Sequence, residues 1–145
     1  MVVSPRSASE YRQFAEFLRH RAGVVPSEDL RMIVWFTGGR PKLVVGFNSF
    51  VGKTCQMHVA MESGFRFTPR AMLKACFSYA FVMCGIELLL GVVKSSNEAA
   101  MKYDQHLGFK ELYRLPGLAE DDSDLVFFGM RKSECRFLKG GSHGR

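Results

Sequence analysis

The chain has 145 residues, 47% hydrophobic and 23% charged, with 20 Lys and Arg against 14 Asp and Glu. That length predicts one compact domain with a single core, and the composition excludes a disordered or collagen-like chain. The longest apolar stretch, Ala75 to Val93, is interrupted by Gly85 and Glu87, so no run reaches the ~20 residues of a membrane span. Met1 to Arg6 shows no apolar leader of the secretory kind, which predicts a cytoplasmic protein. Five basic residues and one acid lie between Arg131 and Arg145, so most of the formal charge of +6 is carried there. The glycine-rich end, Lys139 to Arg145, predicts a flexible basic tail behind a single domain over 1–138. The remaining basic excess is modest; it suits a phosphate-bearing cofactor better than a nucleic acid. Cys55, Cys76, Cys84 and Cys135 form no CxxC pair; they read as small buried hydrophobes, and no metal site is expected.

In chain order, Ser9 to Arg21 predicts a helix. Tyr11, Phe14, Phe17 and Leu18 fall on one stripe, and Arg12 and Glu16 are spaced to pair. Arg31 to Thr37 is β-branched and aromatic and predicts a strand. The turn Gly38-Gly39-Arg40-Pro41 returns the chain along Lys42 to Phe47. Thr54 to Met61 alternates as a third strand, with His58 on the face opposite Met57, Val59 and Met61. Thr68 as N-cap and Pro69 as first helical residue predict a helix to about Cys84, closed by Gly85. Ile86 to Val93, apolar on both faces, predicts a central strand. A capping box of Ser95 and Glu98 opens a helix that runs to Leu107 and ends at Gly108. Phe109 to Leu115 and Asp124 to Met130 are the last two strands. The order predicts an α/β (α+β) protein: a mixed, mostly antiparallel central sheet with helices on both faces.

Gly52-Lys53-Thr54 imitates the end of a phosphate-binding P-loop, but Phe47 stands where its first glycine belongs, and a strand follows instead of a helix. A surface turn is the better reading. A helix start flanked by Arg66 and Arg70, just beyond a strand end, offers free amides, a positive helix terminus and guanidinium forks. Those features favour phosphate or pyrophosphate, although a solvated arginine pair would look the same.

Asn97-x-x-Ala100, followed by Leu107-Gly108-Phe109 at the helix end, resembles the late helix of the GNAT superfamily of acyl-CoA-dependent N-acetyltransferases. The element order resembles that fold over nearly the whole chain, with Met1 to Val3 as a remnant of the first strand. The resemblance implies acetyl-CoA as co-substrate, lying where two parallel central strands splay apart. It implies that the backbone of Val59, Ala60 and Met61 pairs with pantetheine. Arg66, Arg70 and Ala71 would hold the pyrophosphate, and Asn97, Ala100 and Tyr103 would line the cofactor helix. Pro69 replaces a glycine of the family pattern and removes one amide donor. Asp104 stands where many members carry a tyrosine acid, with Tyr103 one residue earlier. An aspartate of ordinary pKa (~3.9) would be a poor proton donor at neutral pH, so Tyr103 is the candidate acid, and His58 and Glu62 are candidate bases. His106 is expected to face solvent or cap its helix.

The expected function is therefore acetyl transfer from acetyl-CoA to a primary amine, on a protein or a small molecule, by direct attack. The alternative is a catalytically inactive GNAT-fold protein acting as a binding or structural component, for which a looser similarity to virus-encoded GNAT-like proteins would mean host cytoplasm or virion. The acidic segment Glu120 to Asp124 either attracts a cationic acceptor or is simply solvated. No membrane partner is expected, and a homodimer is compatible with the sequence.

Overall fold

The computed structural model describes residues 1–65 and 68–138. Seven strands form one sheet: β1 (Val2–Val3), β2 (Arg31–Thr37), β3 (Arg40–Val51), β4 (Thr54–Met61), β5 (Leu88–Lys94), β6 (Lys110–Leu115) and β7 (Leu125–Arg131). Their order across the sheet is β1-β2-β3-β4-β5-β7-β6. Only β4 and β5 run parallel. The described residues add three α-helices, α1 (Ala8–Ala22), α2 (Arg70–Ser78, extended by a π turn over Tyr79–Met83) and α3 (Glu98–Leu107), and a short 3-10 turn over Lys132–Glu134. The mixed sheet with helices on both faces is the architecture expected from the sequence.

The period-two pattern of the strands divides the core into two. Leu43, Val45, Phe47, Cys55, Met57 and Leu89 face α2 and α3, where they meet Met72, Cys76, Phe77 and Leu107. Val34, Val44 and Ala60 face the other way and meet Phe14 and Leu18 of α1. Each fully buried Leu or Phe contributes roughly 1.5–3 kcal/mol. α1 covers β2, β3 and β4. No described helix lies on the same face of β5, β7 and β6, where Leu112 and Tyr113 stay 49% and 52% exposed.

Boundaries and caps differ from expectation where distant partners intervene. β3 continues past Phe47 to Val51, with Ser49 taking a left-handed φ of 54°. Gly52 and Lys53 form the hairpin turn to β4, which settles the P-loop imitation as a surface turn. Pro69, not Thr68, is the N-cap of α2, because the Thr68 hydroxyl is engaged with Tyr103. Asn97, not Ser95, caps α3: its Oδ1 accepts from the Ala100 amide at 3.1 Å. Ser95 is drawn away because its Oγ accepts from the Asp124 amide at 2.9 Å. Glu16 pairs with Arg19 rather than Arg12.

The segment after β7 belongs to the core. Phe137 stacks on Phe77 of α2 with ring centroids 5.0 Å apart. Arg136 donates to the carbonyls of Leu107 (3.0 Å) and His106 (2.9 Å), satisfying the C-terminal end of α3. Of the basic C-terminal stretch, only 139–145 lies outside the described residues.

Gly46 of β3 lies directly beneath Leu18 of α1. A Cβ there would stand 2.5 Å from Leu18 Cδ2 and 3.2 Å from Leu30 Cδ1, and both leucines are fully buried. Gly46→Ala is expected to lower unfolding free energy by roughly 1–3 kcal/mol through overpacking. Denaturant unfolding checks this, and adding Leu18→Ala should make the combined loss smaller than the two single losses summed.

Candidate active site

The parallel pair is brief. Thr54, Cys55 and Gln56 pair with Leu88, Leu89 and Leu90, and there the pairing stops. Beyond it β4 remains paired with β3 through Met61, while β5 remains paired with β7 through Lys94. The two strands therefore part towards their C-terminal ends. From Met57 to Met61, alternate residues of β4 direct backbone N–H and C=O groups into a gap with no strand opposite. Val59, Ala60 and Met61 are in this stretch.

Two ionisable side chains flank the gap from opposite faces. His58 is on the α1 face, two residues past the last paired position. Its Nε2 donates to Asn48 Oδ1 at 2.8 Å, leaving the Nδ1 lone pair available, and burial lowers its pKa, so the ring is neutral at pH 7. Asp104 projects from α3 onto the opposite face. Its Oδ2 lies 3.2 Å from where a Cβ on Gly91 would be, and Gly91 is the first β5 residue past the parting. Burial pushes the Asp104 carboxyl up to about 7. The cause is desolvation over an apolar strand, which the sequence of α3 does not reveal.

Tyr103, the candidate acid, precedes Asp104 on α3. Its hydroxyl is 2.7 Å from Thr68 Oγ1, in a hydrogen bond joining α3 to the β4–α2 loop, and burial raises its pKa to about 12. Glu62, just after β4, bonds to Lys42 Nζ at 2.8 Å and also pairs with Arg40. The hydrogen bond from Lys42 is the main reason its carboxyl is held below the usual range.

The loops at the open end differ in charge. At the start of α2, the amides of Arg70 and Ala71 have no partner among the described residues, whereas Met72 and Leu73 both donate to the Pro69 carbonyl. The Arg70 side chain is exposed; Arg66 lies outside the described residues. The acidic segment between β6 and β7 packs against the end of β5. Lys94 Nζ pairs with Glu120 at 3.0 Å, and Asp121 accepts from Ser96 and Ser123 hydroxyls, both at 2.5 Å. Asp124 accepts from the Gly117 amide and from Arg114. These carboxylates are tied into the loop. Asn97, expected beside the cofactor, uses its side-chain carbonyl as the α3 cap, and Ala100 supplies the amide it caps. His106 is exposed, and its backbone carbonyl accepts from Arg136.

A cavity of about 620 Å³ lies elsewhere, between α1, the outer edge of β2 and the α2 π turn. Tyr11, Met32, Ile33, Tyr79 and Met83 line it, and no residue of β4, β5 or α3 does.

No protein-family model and no curated protein sequence matches the chain. Solved structures do. Spermidine/spermine N-acetyltransferase SpeG from Vibrio cholerae superposes with a TM-score of 0.74 at 10% identity, over 100% of this chain and 96% of that one. The ribosomal-protein-S18-alanine N-acetyltransferase from Escherichia coli gives 0.69 at 15% identity, over 90% and 92%. The fold is that of the GNAT N-acetyltransferases. In GNAT terms the parting of β4 and β5 is the splay expected from the sequence resemblance, and Met1 to Val3 does provide a first strand.

The half-buried Asp104 carboxyl has a consequence for stability. The folded protein keeps the Asp104 proton up to about pH 7, whereas an unfolded aspartate releases it near 3.8. Its contribution to stability therefore falls as pH rises across that interval and is level above it. Asp104→Asn should match the wild type in unfolding free energy near pH 4 and exceed it by roughly 1–4 kcal/mol at pH 8, as denaturant titrations at both pH values will measure.

Proposed function

We propose that the protein transfers an acetyl group from acetyl-CoA to a primary amine by direct attack, in the gap between β4 and β5. The observation that carries this reading is the unpaired edge of β4 from Met57 to Met61, in a GNAT fold, with His58 beside it. The chain's own groups fit an acyl-CoA. The open backbone edge at Val59 and Met61, on either side of Ala60, suits an extended, amide-bearing arm. The amides of Arg70 and Ala71, unpartnered among the described residues, with the Arg70 guanidinium and the sequence neighbour Arg66, suit a pyrophosphate. Bound acetyl-CoA supplies an activated acyl group as a thioester.

Each chain group then has a part in the transfer. Amides on the open edge, those of Val59 and Met61, donate to the carbonyl oxygen as it becomes negative, whereas Ala60 turns its amide to Val44 of β3. His58 Nδ1 takes the proton that the incoming amine must lose. Burial keeps this ring neutral, and its Asn48 hydrogen bond fixes which nitrogen carries the lone pair. Glu62 is better placed to orient Arg40 and Lys42 at the β4 end than to serve as a base. Asn97 and Ala100 hold the start of α3 in shape rather than touching the co-substrate. The amine can be that of a protein or of a small molecule. The neighbouring solved structures include enzymes titled for spermidine and for a ribosomal-protein alanine, which supports an amine acceptor as a class.

Pro69 favours one other reading, a GNAT-fold protein that binds without catalysis, because its ring removes an amide from the phosphate-facing turn. Calorimetry separates the two. Saturable acetyl-CoA binding below millimolar concentration is expected, weakened roughly three- to tenfold by Arg70→Ala; no saturation at millimolar acetyl-CoA rejects acetyl transfer. A thiol-release assay over a panel of amines should then find an acceptor. His58→Gln should lower kcat on it roughly 10- to 100-fold near pH 7, and an unchanged kcat removes His58 as the base.

A further inference from the structure

We propose that the cavity at the outer edge of β2 binds the C-terminal end of another protein. The guest is an extended apolar peptide that pairs with the Met32 backbone and sets its terminal carboxylate on Arg31. This site is separate from the β4–β5 gap and independent of acetyl transfer.

The strand edge is incomplete at one residue. Backbone groups along a strand point alternately to its two sides. On β2 the even-numbered residues point outward, away from β3. Phe36 donates its N–H to the Met1 carbonyl and accepts from the Met1 ammonium, both at 2.8 Å. Val34 stands opposite Val3 of β1. Just before the strand, the Leu30 N–H donates to the Ser27 carbonyl at 3.1 Å, and its carbonyl accepts from the Tyr11 hydroxyl at 2.9 Å. Met32 lies between these, and its N–H and C=O have no partner among the described residues. The residue is only 4% exposed, so two unpaired backbone groups there are costly. Continuing the register of Val2 with Trp35 and Val3 with Val34 would bring Pro5 opposite Met32. Pro5 has no N–H to give, and Ser4 and Pro5 line the cavity on their way to α1.

The cavity beside this edge measures about 620 Å³, a volume usual for a bound ligand. Three extended residues span about 10 Å. Ile33 from β2, Tyr11 from α1, and Ala75, Tyr79 and Met83 from α2 and its π turn wall it. Met83 is 77% exposed although it lines the cavity, and its unbranched thioether can fold over an apolar guest. Arg31 is the one charged residue of the lining. Its guanidinium reaches the backbone carbonyls of Glu28 and Leu30, each at 3.3 Å, and pairs with no carboxylate among the described residues. Arg6, Arg19, Arg40 and Arg114 each have such a partner.

These features set both the class and the direction of the guest. An N–H and a C=O on one residue are matched by a single residue of an antiparallel strand, which a peptide offers and a fatty acid does not. Running in the direction of β1, the guest has its middle residue opposite Met32 and its last residue opposite Arg31. The terminal carboxylate thereby arrives beside an unpaired guanidinium, where a two-pronged bond forms. A peptide running the other way would bring its ammonium to the same cation. Ile33 faces the α2 side and Met32 the α1 side, so alternate side chains of the guest meet apolar walls on both.

The probes are acetyl-Leu-Val-Leu with a free carboxylate, its C-terminal amide, and the free acid N-methylated at its central valine. Titrated into the ¹⁵N-labelled full chain, the free acid should saturate below millimolar concentration. It should shift the Met32 amide resonance and slow hydrogen exchange there about tenfold. The amide and the N-methylated peptide should each bind about tenfold more weakly. Arg31→Ala should cost about tenfold for the free acid and little for the amide, because the cation's partner is then already missing. Ser78→Trp, which fills the cavity from α2, should abolish binding while thermal unfolding stays cooperative. Free acid and amide of equal affinity, no saturation at millimolar peptide, or hexanoate binding as well as the peptide would each overturn the proposal.

Discussion

The loss of pairing between β4 and β5 after Gln56 and Leu90 is the constraint on which the rest of the site depends. Sheets ordinarily continue their ladders, because an unpaired backbone group shut away from water costs about 1–3 kcal/mol. Here each strand keeps its antiparallel partner on the far side, β3 for one and β7 for the other, so the parting exposes only one edge of each. The crossover through α2 makes this pair parallel, and it brings both C-terminal ends, with their loops, to the same end of the sheet. Three loops meet there: β4 to α2, β5 to α3, and the acidic connection of β6 and β7.

Packing on the two faces then decides what each side of the gap can do. α1 is held against β3 by the missing side chain of Gly46, and the same face carries His58 and its Asn48 partner. α3 sits over β5, steadied at its start by Asn97, in the middle by the Tyr103–Thr68 bond and at its end by Arg136. These three supports bring a carboxyl down onto an apolar strand. The energy that makes Asp104 unusual comes from the whole core beneath it rather than from a neighbouring charge.

Much of the architecture was legible in the sequence. β2 and β4 follow their β-branched and alternating runs to the residue, and Gly108 ends α3 where a left-handed residue was expected. The splay and the role of the hairpin at Gly52 also agree with the reading of the motifs. The misread caps share one cause: Thr68 and Ser95 have partners, Tyr103 and Asp124, that lie 35 and 29 residues away. Local rules for capping cannot weigh such competitors. The same holds for Arg136, whose place in the sequence, after the last strand, gives no sign that it closes the end of α3. For Asp104 the sequence showed only a departure from a motif. Its altered acidity depends on a glycine 13 positions earlier in the chain and on the apolar strand around it, neither of which is a feature of the helix that carries it.

That glycine ties two positions of the chain into one heritable unit. A side chain at 91 and a carboxyl at 104 compete for the same few ångströms, so neither site can drift without regard to the other. Distant relatives of this chain should therefore exchange the two residues jointly. A larger residue on the strand would accompany a shorter or differently aimed one on the helix, and the pair would appear as covariation between β5 and α3. A carboxyl at the helix position without a glycine opposite would mark a descendant in which the aspartate has moved off the strand and regained an ordinary, solvent-like acidity.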